Sequence, residues 1–162
     1  MATIELVTVI AAPRERVFDL SRSVDAHVRS TSATGERAVG GRLSGLLDLD
    51  DEVTWRARHF GVCQRLTTRI TAYDRRRYFE DTMLRGAFAR MRHDHFFEEA
   101  DGGTLVRDVV EFAAPLPILG RLAETLFLTS YMRRFLLTRN EELKQLAESD
   151  GWRAFVQERH DE

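Results

Sequence analysis

The chain has 162 residues, 43% of them apolar and 31% charged, with a net charge of −2. That length favours one domain, able to bury about two thirds of its unfolded surface. The nearly balanced charge supplies no field for nucleic acid or an anionic membrane, so neither is expected as a partner. Cys63 is the only cysteine, which excludes a disulfide framework. The N-terminus carries no secretory pattern, and no apolar run reaches the roughly 18 residues of a membrane span. A cytoplasmic protein with no integral membrane contact is the simplest expectation.

Thr3 to Ala11 alternates and is rich in β-branched residues, which predicts a strand. Pro13 then opens a short helix, with the proline in its first turn. Ser23 caps a second short helix through Val28. Gly35, Gly40, Gly41 and Gly45 break the next region into short strands and turns. Five strands follow: Glu52 to Phe60, Cys63 to Tyr73, Arg77 to Leu84, Phe88 to Glu99 and Thr104 to Ala114. Their connections, at Gly61, Asp74-Arg75, Gly86 and Asp101-Gly102-Gly103, are too short for crossover helices. The strands must therefore form an antiparallel meander.

After Pro117 the period changes. Leu119, Leu122, Ala123, Leu126, Phe127, Tyr131 and Phe135 recur at spacings of three and four, and Leu128, Met132, Leu136 and Leu137 widen the stripe. A helix from Pro117 to Glu148 would be roughly 45 Å long. A twisted sheet of this size curls, and a long helix laid in its concave side leaves a space between them. After Gly151, Trp152, Phe155 and Val156 suggest a short docked helix in the tail.

The layout resembles the START-like, or SRPBCC, superfamily, which includes the birch-pollen-allergen fold, polyketide cyclase/dehydrase-like and coenzyme Q-binding-like proteins. The opening Ala11-Ala12-Pro13-Arg14-Glu15-Arg16-Val17-Phe18 is similar to that superfamily's start. The segments Glu52 to Gly61, Arg69 to Asp74 and Arg92 to Glu98 are similar to a bacterial branch sometimes labelled cell-division-inhibitor-related. A similar domain is fused to sugar-nucleotide epimerase-like proteins. The resemblance runs from Thr3 to Leu146. It implies an α+β helix-grip fold, a curved antiparallel sheet wrapped around a long C-terminal helix, with two short helices after the first strand. Residues 1–148 are expected to form the ligand-binding domain and 149–162 a C-terminal tail. The superfamily hosts carriers, cyclases and lipid binders on one frame.

Strand alternation places Val53, Trp55, Ala57 and His59 on the inner face of one strand and Phe79, Asp81 and Met83 on another. Met91, His93, His95 and Phe97 share the inner face of a third, and Val106, Asp108, Val110 and Phe112 that of a fourth. Closing the hairpin at Asp101-Gly102 sets Phe97 opposite Val106, His95 opposite Asp108 and His93 opposite Val110. The expected polar cluster is His59, Asp81, His93, His95 and Asp108. The expected apolar lining is Trp55, Met91, Phe97 and Phe112, with Leu122, Leu126, Phe127 and Tyr131 from the helix.

The His95–Asp108 pair has three readings: a register lock whose members satisfy each other, a group that orients a ligand, or an acid–base pair. As a simple lock, it should tolerate Asp108→Asn at little cost. The His-x-His alternation suits zinc on a strand, but spacing places no third ligand, so no metal is expected. No phosphate loop or nucleophile elbow is present, and no cofactor is expected. Three functions stay open. The first is binding or transport of a small hydrophobic molecule such as a lipid, quinone or polyketide-like compound. The others are a cyclase/dehydrase-type enzyme using the His/Asp pair, and a protein–protein module with a collapsed cavity. A homodimer or a partner enzyme is compatible with each.

Overall fold

The computed structural model describes residues 1–115 and 127–157. Strand β1 (Ala2–Ile10) leads into helices α1 (Arg14–Ser21) and α2 (Val24–Ser30). Pro13 stands at the N-cap of α1, one position ahead of the expected first turn. Ser23 caps α2, its hydroxyl accepting from the Ala26 amide at 3.1 Å. Strands β2 (Arg37–Gly41), β3 (Glu52–His59), β4 (Val62–Asp74), β5 (Tyr78–Arg85), β6 (Arg90–Ala100) and β7 (Gly103–Ala113) follow.

The seven strands of the described residues join one antiparallel sheet in the order β1-β7-β6-β5-β4-β3-β2. The meander arises because each hairpin is short. β6 and β7 are joined through Asp101-Gly102, with Ala100 opposite Gly103. Gly102 adopts φ +76° there, a conformation that other residues reach only at a cost. The register is the expected one: His95 opposite Asp108 and His93 opposite Val110.

Helix α3 (Thr129–Glu148) lies across the inner face of the sheet. Part of the expected helix, with Leu119, Leu122, Ala123 and Leu126, lies outside the described residues. One flank of α3 is stitched to β1. Lys144 Nζ donates to the Val9 carbonyl at 2.8 Å, and Glu148 Oε1 accepts from the Ala11 amide at 2.8 Å. Leu136, Arg139, Asn140, Leu143 and Ala147 are its buried residues. Leu137, expected in the apolar stripe, is exposed.

The inner face of the sheet is filled unevenly. Helices α1 and α2 cover one end, where Phe18 packs edge-on against Tyr73, Phe79 and Phe97 at ring distances of 5.6, 5.8 and 5.2 Å. A second apolar cluster of Ile4, Leu6, Met91, Val110, Phe112 and Leu136 fills the β1 side. The tail forms a 3-10 turn at Asp150–Ala154 that buries Trp152, with the Arg16 guanidinium 4.1 Å over its ring. No helix among the described residues is long and apolar enough to cross a membrane.

Candidate functional site

A cavity of about 260 Å³ remains between the two filled zones, under α3. Apolar side chains make most of its wall: Trp55, Leu66, Phe79, Met91, Phe135 and Leu136 among them. Exposed Phe60, Arg65 and Ala87 mark its open side. The collapsed arrangement considered above therefore does not occur.

The structure sorts the expected lining residues. Trp55, His59, Asp81, Met91, His93, His95 and Tyr131 line the cavity. Phe97 shares their face, but Phe18 occupies the space over it. Phe112 is fully buried, with Phe88 at 5.5 Å. Phe127 is 61% exposed and packs on Phe60 at 5.3 Å instead of reaching inside. Asp108 stands behind the cavity wall, reaching it through the histidines. Leu122 and Leu126 lie outside the described residues.

Asp108 organises the polar end. Its Oδ1 lies 2.9 Å from His93 Nε2 and 2.9 Å from His95 Nδ1. Its Oδ2 accepts from Asn140 Nδ2 at 2.7 Å. Arg139 Nη1 stands 3.9 Å from Oδ1. His95 reaches further, with Nε2 3.0 Å from Asp81 Oδ2. The two imidazoles stack at 3.7 Å. The strand register causes this convergence, because Asp81 is opposite His93 on β5–β6 and Asp108 is opposite His95 on β6–β7.

Burial and charge push these groups apart. Burial raises the Asp108 carboxyl, but hydrogen bonds from His93 and His95 outweigh it and hold the group well below the usual range. Burial likewise opposes the charge on Asp81, and the His95 contact holds its value below normal. His95 is raised, because Asp108 and Asp81 together outweigh its burial. His93 is lowered to about 4 by burial and by its neighbour His95. At neutral pH His93 is therefore the neutral ring. Its Nε2–H donates to Asp108, leaving a lone pair on Nδ1.

Spacing along the chain places no third candidate ligand beside the two histidines, but the sheet brings one there. One oxygen of Asp81 and one nitrogen each of His93 and His95 lie within 4.8 Å of one another. Asp81 comes from the neighbouring strand: alternation puts it on the inner face, and the register sets it opposite His93.

Asn140 and Arg139 were missed. Their signal was present: Leu136, Arg139, Asn140 and Leu143 follow the i, i+3, i+4, i+7 pattern of one helix face. A second polar group was missed at the other end of the cavity. There His27 stacks on Trp55 at 4.2 Å, with Nε2 3.3 Å from Glu36 Oε1. His59 Nδ1 and the Tyr131 hydroxyl are 2.7 Å apart near the open side. The β3–β4 turn there holds Phe60 at φ +53°, a strained conformation for a bulky residue. It places the ring 4.3 Å from that of Tyr131.

Residues 1–148 match the family model described as polyketide cyclase / dehydrase and lipid transport. No curated protein matches the chain significantly. The structure is similar to that of protein TTHA0849 from Thermus thermophilus, at 18% identity and a TM-score of 0.74, covering 89% of this chain and 95% of that one. It is similar to protein CV1439 from Chromobacterium violaceum, at 16% identity and a TM-score of 0.70, covering 91% and 98%. It is also similar to the major latex-like protein 151 of Panax ginseng, at 16% identity and a TM-score of 0.65, covering 91% and 98%. At these identities the likeness establishes a shared helix-grip fold.

Proposed function

This chain belongs to the polyketide cyclase / dehydrase and lipid transport family, and on that premise we propose that it binds one small, mainly apolar molecule between sheet and helix. The observation that carries the reading is the cavity itself: about 260 Å³, walled by apolar side chains and ending in Asp81, His93 and His95. That volume lies near the lower end of small-molecule sites, which suits a compact ring system better than a long acyl chain. Burying ~200 Å² of apolar ligand surface would contribute roughly 5 kcal/mol before the cost of association. The polar end would then fix the ligand's orientation, as a few placed polar groups do in such sites.

A second reading, acid–base catalysis of the cyclase/dehydrase kind, is favoured by one feature. His95 spans Asp108 and Asp81 at 2.9 and 3.0 Å, as a held proton donor would.

The binding reading is tested with 1-anilinonaphthalene-8-sulfonate as the probe. Saturable fluorescence enhancement at one probe per chain is expected. Ala57→Trp, which fills the cavity from its wall, should abolish it while the melting transition stays cooperative. Enhancement that does not saturate, or that persists in Ala57→Trp, would contradict the reading.

A further inference from the structure

The polar end of the cavity has the parts of a metal centre. Two strands bring a carboxylate and two imidazoles together, with ligand atoms within 4.8 Å of one another. The 3.0 Å between Asp81 Oδ2 and His95 Nε2 is the spacing of two neighbours on one ion, since ligands about 2.1 Å from a metal lie roughly 3.0–3.4 Å apart.

The residues behind the rings support the same reading. Asp108 takes one nitrogen from each imidazole, at 2.9 Å in both cases, and Asn140 donates to its other oxygen. Metal-bound histidines are held in this way, by a carboxylate on the nitrogen that does not face the ion. It leaves Nδ1 of His93 and Nε2 of His95 as the nitrogens able to ligate.

Asp81 and Asp108 set two carboxylates beside the rings, and Arg139 stands 3.9 Å from Asp108. A divalent cation would take the place of the proton shared between His95 Nε2 and Asp81 Oδ2 across 3.0 Å.

We propose that Asp81, His93 and His95 bind one divalent first-row transition metal ion, with its open positions turned to the cavity. Two histidines and one carboxylate with free positions suit zinc or ferrous iron. An ion so placed would polarise a carbonyl or enolate oxygen of a molecule in the cavity. The ion site and the apolar binding reading stand or fall separately, because ion binding is measured without any organic ligand.

The test uses tag-free, chelator-stripped full-length protein titrated with Co²⁺ and then Zn²⁺. One equivalent of Co²⁺ should bind with visible d–d absorption and be displaced by Zn²⁺. Asp81→Asn should weaken binding more than about tenfold, and Asn140→Leu, which frees Asp108, about 10–100-fold. Zinc-edge X-ray absorption on the wild type guards against misfolded variants. It should show two imidazoles and oxygen ligands, with Zn–N near ~2.0–2.1 Å. The proposal is overturned if the wild type binds no stoichiometric ion, if Asp81→Asn binds as tightly, or if the spectrum lacks imidazole scattering.

Discussion

The imidazole of His95 bridges two acids from two different strands, with Nδ1 2.9 Å from Asp108 and Nε2 3.0 Å from Asp81. Neither acid is near His95 in sequence. The bridge exists because β6 lies between β5 and β7 and all three present the same face to the cavity.

Asp108→Asn should therefore cost much more than a simple pair would imply. The Asp108 carboxylate accepts from His93, His95 and Asn140. An asparagine amide offers one acceptor atom and turns its NH₂ toward a donor. A loss of about 2–3 kcal/mol is expected, within the range for buried hydrogen bonds to a charged group. Urea denaturation of the two proteins measures it, and a difference below about 0.5 kcal/mol would reinstate the lenient expectation drawn from the sequence.

His95→Ala removes a donor from both acids at once and should destabilise by ~1–3 kcal/mol or more. The double variant Asp81→Asn/His95→Ala should cost less than the sum of its parts, because the first change already removes a carboxylate that the second would orphan. Additive losses in a double-mutant cycle would show that the Asp81 contact contributes nothing.

The tail should prove to be part of the fold. Trp152 is 3% exposed, and the Arg16 guanidinium covers its ring. Trp152→Ala should cost roughly 3–5 kcal/mol. Ending the chain at Glu148 should cost about as much, although the family match also ends there. An unchanged melting temperature in the shortened chain would show that residues beyond 148 are dispensable.

Glu36 gives a pH test away from the histidine cluster. Burial raises its carboxyl, but the His27 imidazole outweighs this, with smaller help from His59 and Thr31, so the group lies below its ordinary 4.5. A carboxyl lowered on folding stabilises the protein above its unfolded value and loses that contribution as pH falls through the folded one. The stability gap between wild type and Glu36→Gln should therefore be full near neutrality and shrink as pH falls below about 4.5. A gap independent of pH would mean that the ionised form is not favoured by folding.

The sheet was legible because its turns pin its register. Once Asp101-Gly102 closes the β6–β7 hairpin, counting residues places His95 against Asp108. The filling of the inner face was not legible. Phe97 and Phe112 stand on the correct face, yet Phe18 from α1 and the cluster around Leu136 occupy the space above them. Alternation gives a side chain's face and not what packs over it. Arg139 and Asn140 could have been found, since they share a helix face with Leu136 and Leu143. Polar residues at such positions read as solvent-facing, which hides them. Glu36 carries no periodic signal, lying just before β2, whose pairing with β3 is interrupted by a bulge between Ala38 and Gly40.

On the proposed function, the space among Trp55, Met91, His95 and Phe135 is a ligand site. Native mass spectrometry of protein purified from its own host tests it most directly. A mass excess matching one small organic molecule per chain is expected, released on denaturation and missing from Ala57→Trp prepared in the same way. A wild-type mass equal to the bare chain, together with failure of a broad set of apolar compounds to bind, would contradict it.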